Sequence, residues 1–185
     1  MADTPEQRAP LVVVMGVSGC GKSTVGVQLA DALGLRYLEG DELHPPRNVA
    51  RMAAGTPLTD DDRRCWLLAI AERIAAARGS GQGLVATCSA LKRSYRDTLR
   101  CGAPELAFVH LHAPDAVLAE RLRTRVHAYM PASLLASQLQ TLEVPGAGER
   151  AATFDATLPA ATIAAQAAAW LRSDHPHREI LEPPP

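Results

Sequence analysis

Apolar and polar positions along the chain follow two alternating patterns. Leu11-Val12-Val13-Val14-Met15 is apolar without interruption. That is too continuous for a strand with one wet face, so a parallel sheet covered by helices on both sides is expected. Val25 to Leu33 is amphipathic at helical spacing and stops at Gly34. Arg36-Tyr37-Leu38-Glu39 predicts a short second strand, and Asn48 to Ala54 a short helix after Pro45-Pro46, closed by Gly55. Thr59 is placed as the N-cap of a long helix reaching about Arg78. Asp60, Asp61 and Asp62 fill its first turn, where acids complement the dipole, and Trp66, Leu67, Ile70 and Ile74 form its apolar stripe. Leu84 to Cys88 is a third strand, which leads through Ser89-Ala90-Leu91-Lys92 into a helix with Tyr95, Arg96 and Asp97. Leu106 to Leu111 is a fourth strand. Helices over Pro114 to Arg125 and Ala132 to Leu142 flank a break at Val126 to Pro131. Ala151 to Ala156 is a weak fifth strand before an alanine-rich helix from Pro159 to about Arg172. Five strands alternating with helices predict a three-layer α/β/α domain with right-handed crossovers. A single domain over 11–172 is expected, with 1–10 and 173–185 as flexible tails.

The first strand, a turn and the first helix carry the strongest chemistry. Gly16-Val17-Ser18-Gly19-Cys20-Gly21-Lys22-Ser23-Thr24 satisfies G-x-x-x-x-G-K-[ST] at every fixed position. Such glycines let successive backbone N–H groups turn inward around phosphate oxygens, and the helix start adds unpaired N–H groups. Lys22 then reaches the β- and γ-phosphates and the Ser23 hydroxyl ligates Mg²⁺. A nucleoside triphosphate and Mg²⁺ are the expected ligands.

Composition narrows the field. A formal net charge of -1 gives no general attraction to nucleic acid or an anionic membrane, and aromatic residues are few at 4%. No apolar run approaches the roughly 20 residues that span a bilayer. Cys20, Cys65, Cys88 and Cys101 show neither C-x-x-C pairing nor metal spacing. The expectation is a cytoplasmic protein with reduced thiols and no nucleic-acid or membrane partner. Of 19 basic side chains only Lys22 and Lys92 are lysine, a compact point charge where arginine is a planar fork.

Asp41 falls where the second strand would end, the side of an α/β sheet on which ligands gather. A carboxylate there can orient a hydroxyl, take its proton or hold Mg²⁺ through water. A helix cap or a solvated turn is the competing reading. His44, Arg47 and Arg51 lie close in sequence and suit an acceptor rich in hydroxyl and carboxylate oxygens; equally, the two arginines could line a solvated helix face. Ser89, Lys92 and Arg96 reach the same side from the third strand. Arg121 and Arg125, one helical turn apart, could stabilise transferring charge, and the break after them suggests a lid over about 121–145.

Several of these stretches together resemble the gluconate kinase family. They are Gly40-Asp41 with His44-Pro45 and Asn48, Met52-Ala53-Ala54-Gly55-Thr56-Pro57-Leu58-Thr59-Asp60-Asp61-Asp62-Arg63, and Cys88-Ser89-Ala90-Leu91-Lys92 with Tyr95-Arg96-Asp97. Met130-Pro131-Ala132-Ser133-Leu134-Leu135 with Ser137-Gln138 and Thr141-Leu142-Glu143 completes the set. The resemblance covers about residues 11–172. It implies a P-loop kinase of nucleoside-monophosphate-kinase-like fold, a homodimer, that transfers the ATP γ-phosphate to the 6-hydroxyl of D-gluconate. It further implies Asp41 at the acceptor hydroxyl, and His44, Arg47, Arg51, Ser89, Lys92 and Arg96 on gluconate or the transferring phosphate. Arg121 and Arg125 would act from the lid. One departure stands out: the family histidine after the lid arginine falls at Ala128, while His127 sits one place earlier. His127 is expected to substitute for it. The rival readings are a shikimate-like kinase on the same fold and a nucleotide-binding regulator without an acceptor.

Overall fold

The computed structural model describes residues 9–124 and 133–173. Five strands form one parallel sheet: β1 (Leu11–Met15), β2 (Arg36–Leu38), β3 (Leu84–Thr87), β4 (Ala107–His112) and β5 (Ala151–Asp155). Their spatial order is β2-β3-β1-β4-β5. β1 is central, and its five side chains are all buried, as its unbroken apolar run requires. Val12 is in register with Val85 on one side and Ala107 on the other.

Seven α-helices are described: α1 (Lys22–Leu33), α2 (Pro46–Ala53), α3 (Asp60–Gly79), α4 (Arg93–Arg100), α5 (Asp115–Thr124), α6 (Ser133–Thr141) and α7 (Ala160–Arg172). α1 packs against α7, and α3 against α4, giving the two helical layers around the sheet. The core joins Val12, Val14, Leu29, Ile70, Ile74, Leu99, Phe108 and Ala167 across all three layers. Met52, Leu58 and Leu134 form a small separate cluster tying α2 to α6.

The crossovers after β1 and β2 run to one side of β1, and the chain then passes to the other side for β4 and β5. The crevice at the carboxyl end of β1 is therefore the topological switch point, where α/β sheets bind their ligands. Local boundaries moved slightly from expectation. α2 starts at Pro46, since proline suits the first helical turn. The second strand stops at Leu38, and Gly40–Leu43 is a 3-10 turn. The Thr59 cap forms as expected. Asp62 N–H donates to Thr59 Oγ1 at 3.2 Å while Thr59 N–H donates to Asp62 Oδ2 at 2.9 Å, a reciprocal capping box.

Candidate active site

The turn from β1 to α1 wraps around its own backbone amides. Gly16, Gly19 and Gly21 all have positive φ, at 139°, 84° and 93°. A Cβ on Gly16 would lie 2.7 Å from Leu111 O, so no other residue fits there. Lys22 Nζ donates to Val17 O at 3.1 Å across this loop. Cys20 is buried beneath it, and burial pushes its thiol pKa up, so it fills space and is not a reactive thiolate.

The second wall is the turn after β2. Gly40 is required there by close approach: a Cβ would lie 1.9 Å from Thr87 O. Gly40 N–H donates to Thr87 Oγ1 at 3.1 Å, which docks the turn on β3. Asp41 follows directly and is exposed to the crevice. His44 ends the turn, half-buried; burial and the Arg63 charge push its pKa down to about 4, so the ring is neutral at physiological pH.

These walls enclose a cavity of about 620 Å³. Its lining includes Ser18, Gly19, Gly21, Lys22, Ser23 and Thr24 from the phosphate loop, Asp41 and His44 from the turn, and Arg121 from α5. Arg121 is braced by an Nη2 bond to Ala156 O at 2.8 Å. Arg125, His127 and Ala128 lie outside the described residues.

Glu39 also lines this cavity and carries no signal in the sequence beyond ending a strand. Tyr37 OH donates to its Oε2 at 2.7 Å and Thr87 Oγ1 to its Oε1. Burial alone would raise the Glu39 pKa, but the hydroxyls of Ser23, Thr87 and Tyr37 outweigh it and hold the carboxylate ionised. Ser23, Glu39 and Asp41 thus bring one hydroxyl and two carboxylates to the lining of one cavity. Among the described residues no group of three or more His, Cys, Asp or Glu forms a metal cluster. That donor set nevertheless fits Mg²⁺, which takes one or two carboxylates and keeps its remaining places for water and phosphate oxygens.

Gln138 of α6 is a second residue whose role the sequence did not disclose. It is buried, and its Oε1 accepts from Ser18 N–H at 2.7 Å, pinning α6 to the phosphate loop.

The remaining expected contacts divide. Arg51 Nε lies 3.6 Å from Asp62 Oδ2, and Arg47 is exposed on α2. Lys92 Nζ donates to both carboxylate oxygens of Asp60, at 2.9 and 2.8 Å, and Tyr95 OH bonds the same carboxylate. Ser89 O accepts from Gly16 N–H at 3.3 Å, joining the turn after β3 to the phosphate loop.

Arg96 requires correction. It is 1% exposed and pairs with Glu149 through Nε at 2.6 Å and Nη2 at 2.9 Å. Its Nη1 donates to Ala90 O and Glu143 O at 3.0 and 2.9 Å. A guanidinium so buried and so fully engaged does not reach a substrate. What it holds is the turn after β3, where Ala90 has φ 44°, a left-handed conformation costly for a residue with a Cβ.

Residues 11–145 match the family described as an AAA domain. A gluconokinase of Gluconobacter oxydans (strain 621H) is 53% identical over 138 residues, spanning 75% of this chain and 78% of that protein. The thermoresistant gluconokinase of Escherichia coli (strain K12) is 43% identical over 139 residues, spanning 75% and 79%. The crystal structure of a gluconokinase from Sinorhizobium meliloti 1021 superposes with a TM-score of 0.80 at 51% identity, covering 90% of this chain and 93% of that one.

Proposed function

The chain belongs to the gluconokinase family, and from that premise we propose that it transfers the γ-phosphate of ATP to the 6-hydroxyl of D-gluconate, giving 6-phospho-D-gluconate and ADP. The observation that carries this is the single cavity with the phosphate loop on one wall and the Asp41–His44 turn on the other. A donor and an acceptor bound against these two walls would face each other, as in-line transfer demands.

Each residue has a task set by its chemistry. The loop Gly16 to Thr24 binds the phosphates through its amides, and Lys22 places a point charge on the oxygens where negative charge develops. Asp41, exposed at the mouth of the turn, orients the acceptor hydroxyl and receives its proton as the O–P bond forms. When bound, Mg²⁺ would be held by Ser23 with Glu39 and Asp41 reaching it through water, and it would neutralise phosphate charge. Arg121, already on the cavity wall, acts on the transferring group. Arg125 and His127 act with it from a lid over about 121–145 that excludes water. His44, Arg47, Arg51, Ser89 and Lys92 form the acceptor side, with Arg47 and Arg51 reaching it when the substrate draws them from solvent. A homodimer in the cytoplasm, with no nucleic-acid or membrane partner, completes the reading. It follows the family resemblance, and no described helix is long and apolar enough to cross a membrane.

The test is ADP production from ATP and Mg²⁺ against D-gluconate, related sugar acids, glucose and shikimate. Strong stimulation by gluconate with a 6-phosphorylated product is the expected result. Stimulation by another acceptor discards the specificity while keeping the catalytic roles, and ATP binding without stimulation by any acceptor points to a regulator.

A further inference from the structure

The indole of Trp66, on α3, touches the acceptor turn twice. Its Nε1–H donates to Gly40 O at 2.7 Å. Its face stacks on the His44 imidazole, with centroids 4.0 Å apart and planes within 16°. Trp66 is 1% exposed, so both contacts are made from the core side of the turn. Filling the core requires only the ring. It does not require the N–H to end on the carbonyl immediately before Asp41.

The consequence is geometric. Gly40 O belongs to the peptide plane that carries Asp41 N–H, so fixing one fixes the other. Thr87 holds Gly40 N–H from β3, and Trp66 holds Gly40 O from α3. Gly40 is therefore held through both of its flanking peptide groups, the one before it by Thr87 and the one leading into Asp41 by Trp66. His44 is oriented by the same ring. Its Nδ1 is buried and has no hydrogen-bond partner among the described residues. An N–H buried there without an acceptor is the costlier choice, so Nε2 is the nitrogen that carries a proton. A donor on the cavity wall suits a hydroxyl or carboxylate oxygen.

We propose that Trp66 is a positioning residue for the phosphoryl acceptor, setting Asp41 through Gly40 and His44 through the ring stack so that both meet a polyhydroxy acid. This rests on the acceptor reading above.

The test begins with Trp66→Phe, which keeps a ring under His44 and removes the donor. kcat/KM for gluconate is expected to fall about tenfold, the effect of one lost hydrogen bond at a positioned group, mainly through KM for gluconate. KM for ATP should stay within about twofold. A second readout needs no core substitution. The chain has two tryptophans, so Trp170→Phe leaves Trp66 as the sole emitter. Gluconate should change its emission saturably in the absence of ATP, ATP alone should not, and adding His44→Gln should abolish the response. A folded Trp66→Phe enzyme with both KM values unchanged, or Trp66 emission indifferent to the acceptor, overturns the proposal. Failure of gluconate to stimulate the unmodified enzyme overturns the acceptor reading instead, and the titration is then decided with whichever acid does stimulate. If no acid on the panel moves either signal, both fall.

Discussion

Two regions of this molecule use the same residue types to opposite ends. Between α4 and the loop before β5, Glu149 is buried, receives both Arg96 and Arg100 at 2.6 Å, and also accepts from Gly146 N–H. Arg96 spends its remaining N–H groups on backbone carbonyls. Around the cavity, Asp41 is exposed, and Lys22 donates to the Val17 carbonyl of its own loop at 3.1 Å, a contact a phosphate can replace. The difference lies in burial. Charges buried against each other brace the fold, whereas charges that face a cavity are available to chemistry.

The largest effect expected from this contrast is on turnover. Lys22→Ala and Asp41→Asn should each lower kcat/KM by about 10²–10³, the range for losing one electrostatic or general-base group. Neither should move the melting temperature by more than about 2 °C, since surface changes away from packed features are small. A melting loss comparable to the activity loss would erase the distinction between the regions.

Glu149→Ala should behave in reverse. Leaving Arg96 buried without its carboxylate costs about 3–5 kcal/mol, which in a domain of this size lowers the melting temperature by roughly 10 °C. KM for ATP should stay within about twofold in the folded enzyme. A stable variant with impaired ATP binding would move Arg96 and Glu149 into the catalytic apparatus.

Acid sharpens the same comparison. Burial alone would raise the Glu149 pKa, but hydrogen bonds and charge from Arg96 and Arg100 outweigh it and bring it down to about 2 from 4.5. With the folded value depressed, its stabilisation is complete above the unfolded pKa and is lost as pH falls from about 4.5 to about 2. The amount is about 3 kcal/mol, since one pKa unit is about 1.4 kcal/mol. His44 and His110, both pushed down to about 4, act earlier. Between about 6.5 and 4 the unfolded chain takes up protons that the folded one refuses, so stability falls there too. Urea titrations at pH 7, 5 and 3.5 should give declining stabilities, and Glu149→Ala should flatten the lower part of the curve.

The sheet, the phosphate loop and the Thr59 cap were legible because each rests on local pattern: an unbroken apolar run, a glycine spacing, a hydroxyl directly before a run of acids. Asp41 was expected at the cavity from its place after a strand, and it lines the cavity. Arg96 was not, because its partner Glu149 is 53 residues away and no local periodicity announces that pairing. One signal was present: Arg96 stands beside Tyr95 and three positions before Leu99, on the buried face of α4. Glu39 was hidden for a related reason. Its task comes from Ser23, Tyr37 and Thr87 converging on it, which only the folded sheet brings about. Trp66 read correctly as an apolar stripe residue, but its N–H bond to Gly40 belongs to tertiary structure.

Lys92 lies on the boundary between the two regions and offers the smallest effect and the finest discrimination. Its ammonium is held by both oxygens of Asp60, yet the Asp60 side chain is 66% exposed, so the pair contributes at most about 1 kcal/mol to stability. A carboxylate on an ammonium beside Tyr95 is also what an anionic acceptor would present. If Lys92 serves the acceptor, Asp60 competes with it in the unliganded enzyme. Asp60→Asn should then lower KM for gluconate about twofold or more and leave KM for ATP unchanged, at little cost in stability. If Lys92 is a structural residue like Arg96, Asp60→Asn should leave gluconate kinetics untouched. A fall in KM, or its absence, therefore assigns Lys92 to one region or the other.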